Sequence, residues 1–384
     1  MIRQIIRFSA ENRYLVIAAT IVALVMAWWS MRTIPLDALP DLADTQVIVY
    51  SRWDRSPDII EDQVTYPITS ALLGAPKVKA IRGFSDFGFS YVYAIFEDGT
   101  DMYWARTRVL EYLSKITPQL PQGVKVELGP DASSVGWVFQ YALVDKSGKH
   151  ASDELRSYQD WFLRYAVQSV PGVSEVATVG GQVRQYQITV NPNSLAAYRL
   201  PLESVIDAVR KGNNDVGGRL VELSGREYMV RGRGYVKSTR DIEEIVLRAE
   251  GGTPVRIKDI ATVALGPEMR RGVADYNGQG DVVGGIVVMR QGENALNVIQ
   301  RVKAKLEELK PALPAGVEVV TTYDRSELIE RAIDTVKHKL VEEIIIVSLI
   351  ILVFLWHFPS SLVPIVTIPV SVVLAFIPMK LMGL

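Results

Sequence analysis

Three apolar runs, one near the start of the chain and two at its end, limit what this sequence can fold into more than any other feature. Residues 14–31 read YLVIAATIVALVMAWWSM, without a single charge. As a helix this run rises about 27 Å, close to the thickness of a hydrocarbon core. No small-residue cleavage site follows it. Trp28, Trp29 and Met31 stand there instead, so the run reads as an uncleaved span and not as a signal peptide. Residues 344–358 and 362–379 form the second and third runs, separated by Pro359, Ser360 and Ser361. So short a connection implies a helical hairpin. Pro364, Pro369 and Pro378 are tolerated in a membrane helix where neighbours satisfy the freed carbonyls.

The flanks set the orientation. Arg3, Arg7 and Arg13 precede the first run against Glu11 alone, whereas Arg32 and then Asp37, Asp41 and Asp44 follow it. The positive-inside rule places the N-terminus in the cytoplasm, with Trp28 and Trp29 as anchors at the far interface. Residues from about 32 to 340 are then expected outside the membrane, on the extracytoplasmic side. Pro35 and Pro40 are expected to stop the first helix, which carries the aspartates clear of the cytoplasmic face. The net charge of −1 suggests no nucleic-acid partner. The chain has no cysteine, which excludes disulfides and thiolate metal sites.

The external region is internally duplicated. LPQGVKVELGPD at 120–131 returns as LPAGVEVVTTYD at 313–324, an offset of 193. The same register without gaps pairs Gly99 with Gly292, Arg108 with Arg301, Val109 with Val302, Leu113 with Leu306 and Pro118 with Pro311. Matches that run through a helix, a turn and a strand mark two copies of one supersecondary unit.

In the first copy, periodicity predicts a strand at 45–51 and a helix over 56–73 with Ser56 as N-cap and Pro57 in its first turn. Strands at 78–85 and 90–96 follow, then an amphipathic helix over 102–116 and a strand at 124–128. That β-α-β-β-α-β order is the ferredoxin-like pattern. The second copy predicts a strand at 137–144, a helix over 153–169 and strands at 173–179 and 183–190. It resumes near Arg270 with strands, a helix over 295–309 and a strand at 317–321. Between the halves lies a small α/β insertion, with a helix at 204–210 and strands at 219–223 and 227–231. Asp324 and Glu327 have the spacing of a capping box and open a charged helix that is expected to run unbroken into the second apolar run. The fold class is thus an α+β membrane protein: transmembrane helices flank two ferredoxin-like units, one of them carrying an inserted α/β subdomain.

Enzyme chemistry finds no foothold. Asp86-Phe87-Gly88 spells a kinase triplet without its companion motifs and reads as a turn. Arg231-Gly232-Arg233-Gly234 reads as a strand end and not as an RNA-binding run. There is no phosphate-binding P-loop. His150, His338 and His357 lie far apart in sequence and form no H-x-x-x-H pair, which argues against a zinc site. Methionines are the remaining soft ligands, and most of them, such as Met26, Met31, Met379 and Met382, sit in or beside apolar runs where filler is the default role. Met269 differs. It stands among charges in Gly266-Pro267-Glu268-Met269-Arg270-Arg271, where the second copy resumes.

Several stretches spread over the chain carry a family resemblance: PLDALPDLADTQV at 35–47, DQVTYPIT at 62–69, YVYAIFEDGTD at 91–101, ELGPDASSVGW at 127–137, QDWFLRY at 159–165, GPEMRRG at 266–272 and TTYDRSELIERAID at 321–334. With them the chain resembles the N-terminal third of heavy-metal exporters of the resistance-nodulation-division (RND) superfamily, and within it the CusA-like copper/silver branch. The resemblance implies a proton-driven, multi-pass pump of the Gram-negative inner membrane that moves Cu(I) or Ag(I). It implies a homotrimer that works with a periplasmic adaptor (membrane fusion protein) and an outer-membrane channel, with membrane lipid around it, no nucleic acid, no catalytic residue and no bound cofactor. It divides the chain into the N-terminus and first span (1–34), a first porter subdomain (35–132), the first half of a second (133–190), a docking subdomain (191–267), the second half of the second (268–324), a helix continuing into the second span (325–358) and a third span (359–384).

The stretch with two prolines and two aspartates after the first span becomes the stiff link to the first porter subdomain. By the same resemblance Met269 matches a methionine of a transient relay for soft ions, where divalent-metal pumps carry an aliphatic residue. A thioether holds Cu(I) or Ag(I) without the charge that would trap it. The family's acidic proton relay and its main methionine site fall in later segments, so neither is assigned here; no acidic residue lies in the three apolar runs. A zinc/cobalt/cadmium exporter, a multidrug exporter of the same superfamily and a membrane-anchored periplasmic sensor stay open as alternatives at this point.

Overall fold

The computed structural model describes every residue except Met1, Pro35, Leu36, Ala38, Gly251, Arg271, Gly383 and Leu384. Pro35, expected to help stop the first helix, and Arg271, a sequence neighbour of Met269, therefore lie outside the described residues. The chain forms two compact units. One comprises residues 1–144, 163–178 and 284–384, the other residues 145–162 and 179–283.

A short helix α1 (Ile2–Glu11) leads through Asn12 into α2 (Arg13–Thr33). Ile17, Ile21, Val22, Val25 and Trp29 of α2 are all more than half exposed in the isolated chain, which suits a helix meant for lipid.

The first sheet follows the duplicated pattern. β1 (Gln46–Arg52) is followed by α3 (Pro57–Ile60), a π-helical turn over Glu61–Thr65 and α4 (Tyr66–Leu72). Then come β2 (Val78–Asp86), β3 (Phe89–Phe96), α5 (Met102–Ile116) and β4 (Lys125–Leu128). Pro57 occupies the first turn of its helix, where a missing N–H costs nothing, but the Ser56 side chain makes no cap bond. Asp101 does cap, accepting from the Trp104 N–H at 2.7 Å. The strand order is β2-β3-β1-β4, and every pairing is antiparallel. Val47 and Val49 of β1 pack with Ile60, Val64 and Ile68 of the first helical segment and with Val109 and Leu113 of α5. One hydrophilic knot sits beside this core. The buried Thr65 hydroxyl, in the π turn, lies 2.7 Å from those of both Ser85 and Ser90. Gly83 lets β2 approach that turn, since a Cβ there would lie 2.7 Å from the Thr65 methyl.

The second sheet opens with β5 (Trp137–Asp145), followed by α6 (Ser152–Tyr158), a second π turn over Gln159–Leu163, α7 (Arg164–Gln168) and β6 (Val173–Gly180). The chain then leaves it. The sequence pattern assigned residues 183–190 to this sheet, but β7 (Arg184–Val190) pairs along its whole length with a strand at the far end of the insertion. Alternation alone marks a strand and not its partner, which is why the sequence pattern misplaced it.

The insertion itself holds α8 (Pro192–Tyr198), α9 (Leu202–Gly212), the hairpin of β8 (Val216–Leu223) and β9 (Arg226–Gly232), α10 (Thr239–Glu243), β10 (Val246–Glu250), β11 (Thr253–Arg256), α11 (Ile257–Ile260) and β12 (Ala261–Pro267), the partner of β7. Its small core joins Ile242, Ile257 and Val263 with Ile188 and Val209.

The second sheet resumes with β13 (Val283–Met289), α12 (Ala295–Leu309) and β14 (Val317–Asp324). Its order, β14-β5-β13-β6, repeats that of the first sheet position for position. α5 and α12 are both 15 residues long, and each runs into a 3-10 turn of 3. Gly285 is required by close packing, because a Cβ would meet the Tyr141 ring at 2.5 Å.

From β14 the chain enters α13 (Arg325–Leu355), a helix of 31 residues. Asp324 caps it, accepting from the Ser326 N–H at 2.9 Å, one residue short of the Glu327 partner that a capping box requires. α14 (Phe358–Leu374) and α15 (Phe376–Leu381) follow. The hairpin turn is not at residues 359–361 as expected. It falls at Trp356, left-handed with φ 45°, and His357, whose side chain caps α14. Pro359 is thereby placed in the first turn of α14, where it does no harm. Among the described residues two segments are long and apolar enough to cross a membrane, Arg13–Thr33 and Phe358–Leu381. The expected span over 344–358 is the apolar end of α13 and stops at Leu355. α14 and α15 pack against α2. Lys380 donates to the Thr33 hydroxyl at 2.5 Å and sits over the Trp29 ring, so the ends of α2 and α15 meet at one level.

Candidate functional site

Met269 lies just past the end of a ladder. The β7–β12 pairing closes at Pro267, which has no N–H to extend it, and the Glu268 N–H adds one last bond to the Val183 carbonyl at 2.8 Å. The Pro267 carbonyl is taken by the Gln187 amide at 2.9 Å. Arg270 is drawn aside by Asp281 at 2.5 Å and by the Gly272 carbonyl at 3.1 Å. Asp281 also accepts from the Ser152 hydroxyl, and the loop before it is pinned by Asp275, which accepts from the N–H groups of Gly278 and Gly280. Arg270 is therefore paired, and the Met269 thioether stands at the surface, 65% exposed. An apolar side chain in that position is not core filler. The nearest methionines in sequence are elsewhere in role: Met229 is exposed on β9 and Met289 is buried on β13.

One thioether offers a soft, neutral contact that an ion can leave, and not a closed coordination sphere. Among the described residues no group of three or more His, Cys, Asp or Glu side chains could hold a metal ion. The histidines serve locally instead: His150 faces Glu154, His338 the Asp334 carbonyl and His357 caps α14.

The first unit contains a cleft of 630 Å³ that the sequence did not announce, lined among others by Tyr50, Tyr91, Glu127, Asp131, Arg164 and Glu175. Burial, and then the Glu127 carboxylate that accepts from it at 2.5 Å, push the Tyr50 phenol up to about 12. Burial also raises Glu175 above the ordinary glutamate value, and Arg164 opposes it. For Asp131 burial works upward too, but the hydroxyls of Ser174 and Tyr103 outweigh it and hold the carboxyl low. This lining has no methionine, histidine or cysteine. Its oxygen donors suit hard ions, and the best of them are already engaged.

A second feature that sequence reasoning missed is Arg325, the first residue of α13. Its side chain is 4% exposed and its three nitrogens have separate partners: Asp37 at 2.9 Å, the Trp137 carbonyl at 2.7 Å and the Tyr323 hydroxyl at 3.4 Å. A signal for it existed. A cation in the first turn opposes the helix dipole, so Arg325 is favoured only by a partner outside its own helix. Asp37, in the acidic link after α2, is that partner.

Comparison with known proteins sets this geometry in context. The AcrB/AcrD/AcrF family matches residues 5–384. SilA of Salmonella typhimurium is 53% identical over the whole chain, and the cation efflux system protein CusA of Escherichia coli K12 is 52% identical. The cobalt-zinc-cadmium resistance protein CzcA of Cupriavidus metallidurans is 36% identical over 98% of the chain. A crystal structure of a heavy metal efflux pump superposes on 99% of the chain with a TM-score of 0.88 at 30% identity, and 38% of that protein is covered. The chain spans 37% of the length of SilA and of CusA.

Proposed function

The chain belongs to the AcrB/AcrD/AcrF family, and on that premise we propose that it is the N-terminal third of a proton-driven exporter of Cu(I) and Ag(I). The observation that carries this reading is the graded likeness. Identity is 52–53% to CusA and SilA over the full chain but 36% to a cobalt-zinc-cadmium resistance protein. The resemblance to the copper/silver branch, and a soft thioether where the divalent branch has an aliphatic side chain, point the same way.

The pump sits in the inner membrane as a multi-pass protein with its N-terminus in the cytoplasm. The meeting of Thr33 and Lys380 supports that topology, since it brings the far ends of the first and last helices to one face. Both four-stranded sheets are porter subdomains of ferredoxin-like type, and the β2-β3-β1-β4 order with two intervening helices supports that assignment. The insertion is the docking subdomain. A homotrimer with a periplasmic adaptor and an outer-membrane channel completes the machine.

Met269 is a transient contact on the ion's route toward the main site. The arrangement fits: an exposed thioether beside an arginine, Arg270, that Asp281 already engages. Met269→Leu and Met269→Ile in the complete pump test it. Both nearly conserve volume, so packing alone loses less than about 1.5 kcal/mol. The expected outcome is lower copper and silver resistance at normal protein level and normal trimer formation. Unchanged resistance in both variants across a graded metal series removes Met269 from the route.

A further inference from the structure

At three of the equivalent positions where the two copies differ, the second copy's side chain makes a bond that the first copy's does not. Asp101 and Asn294 both cap their helices, through the N–H groups of Trp104 and Asn297. Only Asn294 also has donors, and its amide reaches the Ile34 carbonyl at 3.3 Å, at the C-cap of α2. Leu110 is half-exposed, whereas its counterpart Lys303 pairs with Asp324 and donates to the Ser326 hydroxyl at 3.0 Å, at the head of α13. Ala132 has no counterpart to the Arg325 guanidinium, which joins Asp37 to the Trp137 carbonyl.

We infer that Arg325 is a positioning residue. With Asn294 and Lys303 it clamps the exit of α2 and the head of α13 onto the second sheet, so that sheet and both helices move as one piece. The inference rests on the reading of α2 and α13 as helices that lead to the membrane of an exporter. Three physical points support it. First, the guanidinium is buried with every nitrogen partnered, so a shift of either helix that removes one partner would leave a buried charge uncompensated. Second, its partners come from three chain segments, of which residues 37 and 137 are remote in sequence. Third, α12 is common to two of the three bonds, through Asn294 at its N-cap and Lys303 in its middle, and so acts as a spar between the two helices. In a pump, ion handling outside the membrane and proton handling inside it must be linked through such a piece, because coupling travels only through elements that both sites bias.

The test uses spin labels on cysteines at Arg32, on α2, and Glu308, on α12, in the complete protein. This chain contains no cysteine of its own. The expected result for the otherwise unchanged protein is one narrow distance distribution, the same with and without silver. Arg325→Ala, which restores the first copy's residue, broadens it. Asp37→Asn and Asn294→Asp broaden it less and keep the test open should Arg325→Ala not fold. In unlabelled protein the same variants lose about tenfold or more of silver transport while silver binding is retained, a split that a merely structural defect would not give. A distribution that stays narrow in Arg325→Ala, or in both milder variants, overturns the clamp. If the unchanged protein moves no silver, the exporter reading fails while the distance measurement still decides the clamp.

Discussion

The two four-stranded sheets share one strand order and one helix length, yet the first runs without interruption from β1 to β4 and the second is broken by an insertion and tied to the exit of α2 and the head of α13. The comparison separates what a fold needs from what a position in the machine adds. What both copies keep is core. Val109 and Val302 are each fully buried at equivalent places, and Leu113 and Leu306 are 5% and 6% exposed. Both first helices carry a π turn, at Glu61–Thr65 and at Gln159–Leu163. Both copies end on an aspartate held by hydroxyl donors, Asp131 by Ser174 and Tyr103, Asp324 by Ser326. Three of the positions that differ carry polar groups that reach beyond the sheet and its own helices. Asn294, Lys303 and Arg325 replace Asp101, Leu110 and Ala132, and each addresses a helix or link that the first copy does not hold. Duplication supplied the core, and a few polar side chains gave the second copy its attachment.

The equivalence of the two cores is open to direct test. Leu113→Ala and Leu306→Ala each remove a buried side chain from the same place in the unit, and each is expected to cost about 3 kcal/mol. Matched thermal unfolding of the two variants in the complete protein checks this. A loss in one copy and none in the other would show that the insertion has relaxed the second core.

The paired aspartates sharpen it. Burial pushes Asp131 and Asp324 upward, but Ser174 and Tyr103 for the first, Lys303 and Ser326 for the second, outweigh it and lower both carboxyls below 3.8. A group with a lowered folded value stabilises at pH above the unfolded value and loses that contribution as pH falls through the folded one. Asp131→Asn and Asp324→Asn are therefore each expected to cost about 2 kcal/mol at neutral pH, a difference that shrinks in acid below about pH 4. Unfolding midpoints as a function of pH read the effect, and a penalty that persists unchanged at low pH would assign the aspartates a purely steric role.

Glu175 carries the smallest and opposite effect. Its carboxyl is raised above 4.5 by burial, so the folded state holds the proton more tightly than the unfolded chain. Its contribution is most favourable in acid and falls as pH rises from the unfolded value through the raised one. Glu175→Gln is expected to gain less than about 1 kcal/mol at neutral pH, and the gain should vanish on acidification. A loss at neutral pH would mean that Arg164 makes a stronger pair with it than the present burial allows.

How much of this was legible in the sequence follows from how local each signal is. The offset of 193 between two short stretches pointed to α5 and α12, because identical turns and helix faces recur there. Met269 stood out because a methionine among charges has no core to fill, and it is exposed. Pro359 reads as a breaker in the sequence, yet proline is equally at home in a first turn, and the hairpin turn falls at Trp356 and His357 instead. β7 was given to the wrong sheet because alternation carries no information on pairing partners. The Asp37–Arg325 bond joins residues 288 apart, and only the oddity of a cation in a first helical turn hinted at it.

In the proposed function the complete protein moves soft monovalent ions at the expense of a proton gradient. Metal uptake into everted membrane vesicles that carry it measures this directly. Silver and copper(I) are predicted to accumulate when a proton gradient is imposed and to stop when a protonophore dissipates it, while zinc, cobalt and cadmium stay outside. Gradient-driven uptake of zinc without silver would contradict the account and place the protein with the divalent-metal exporters.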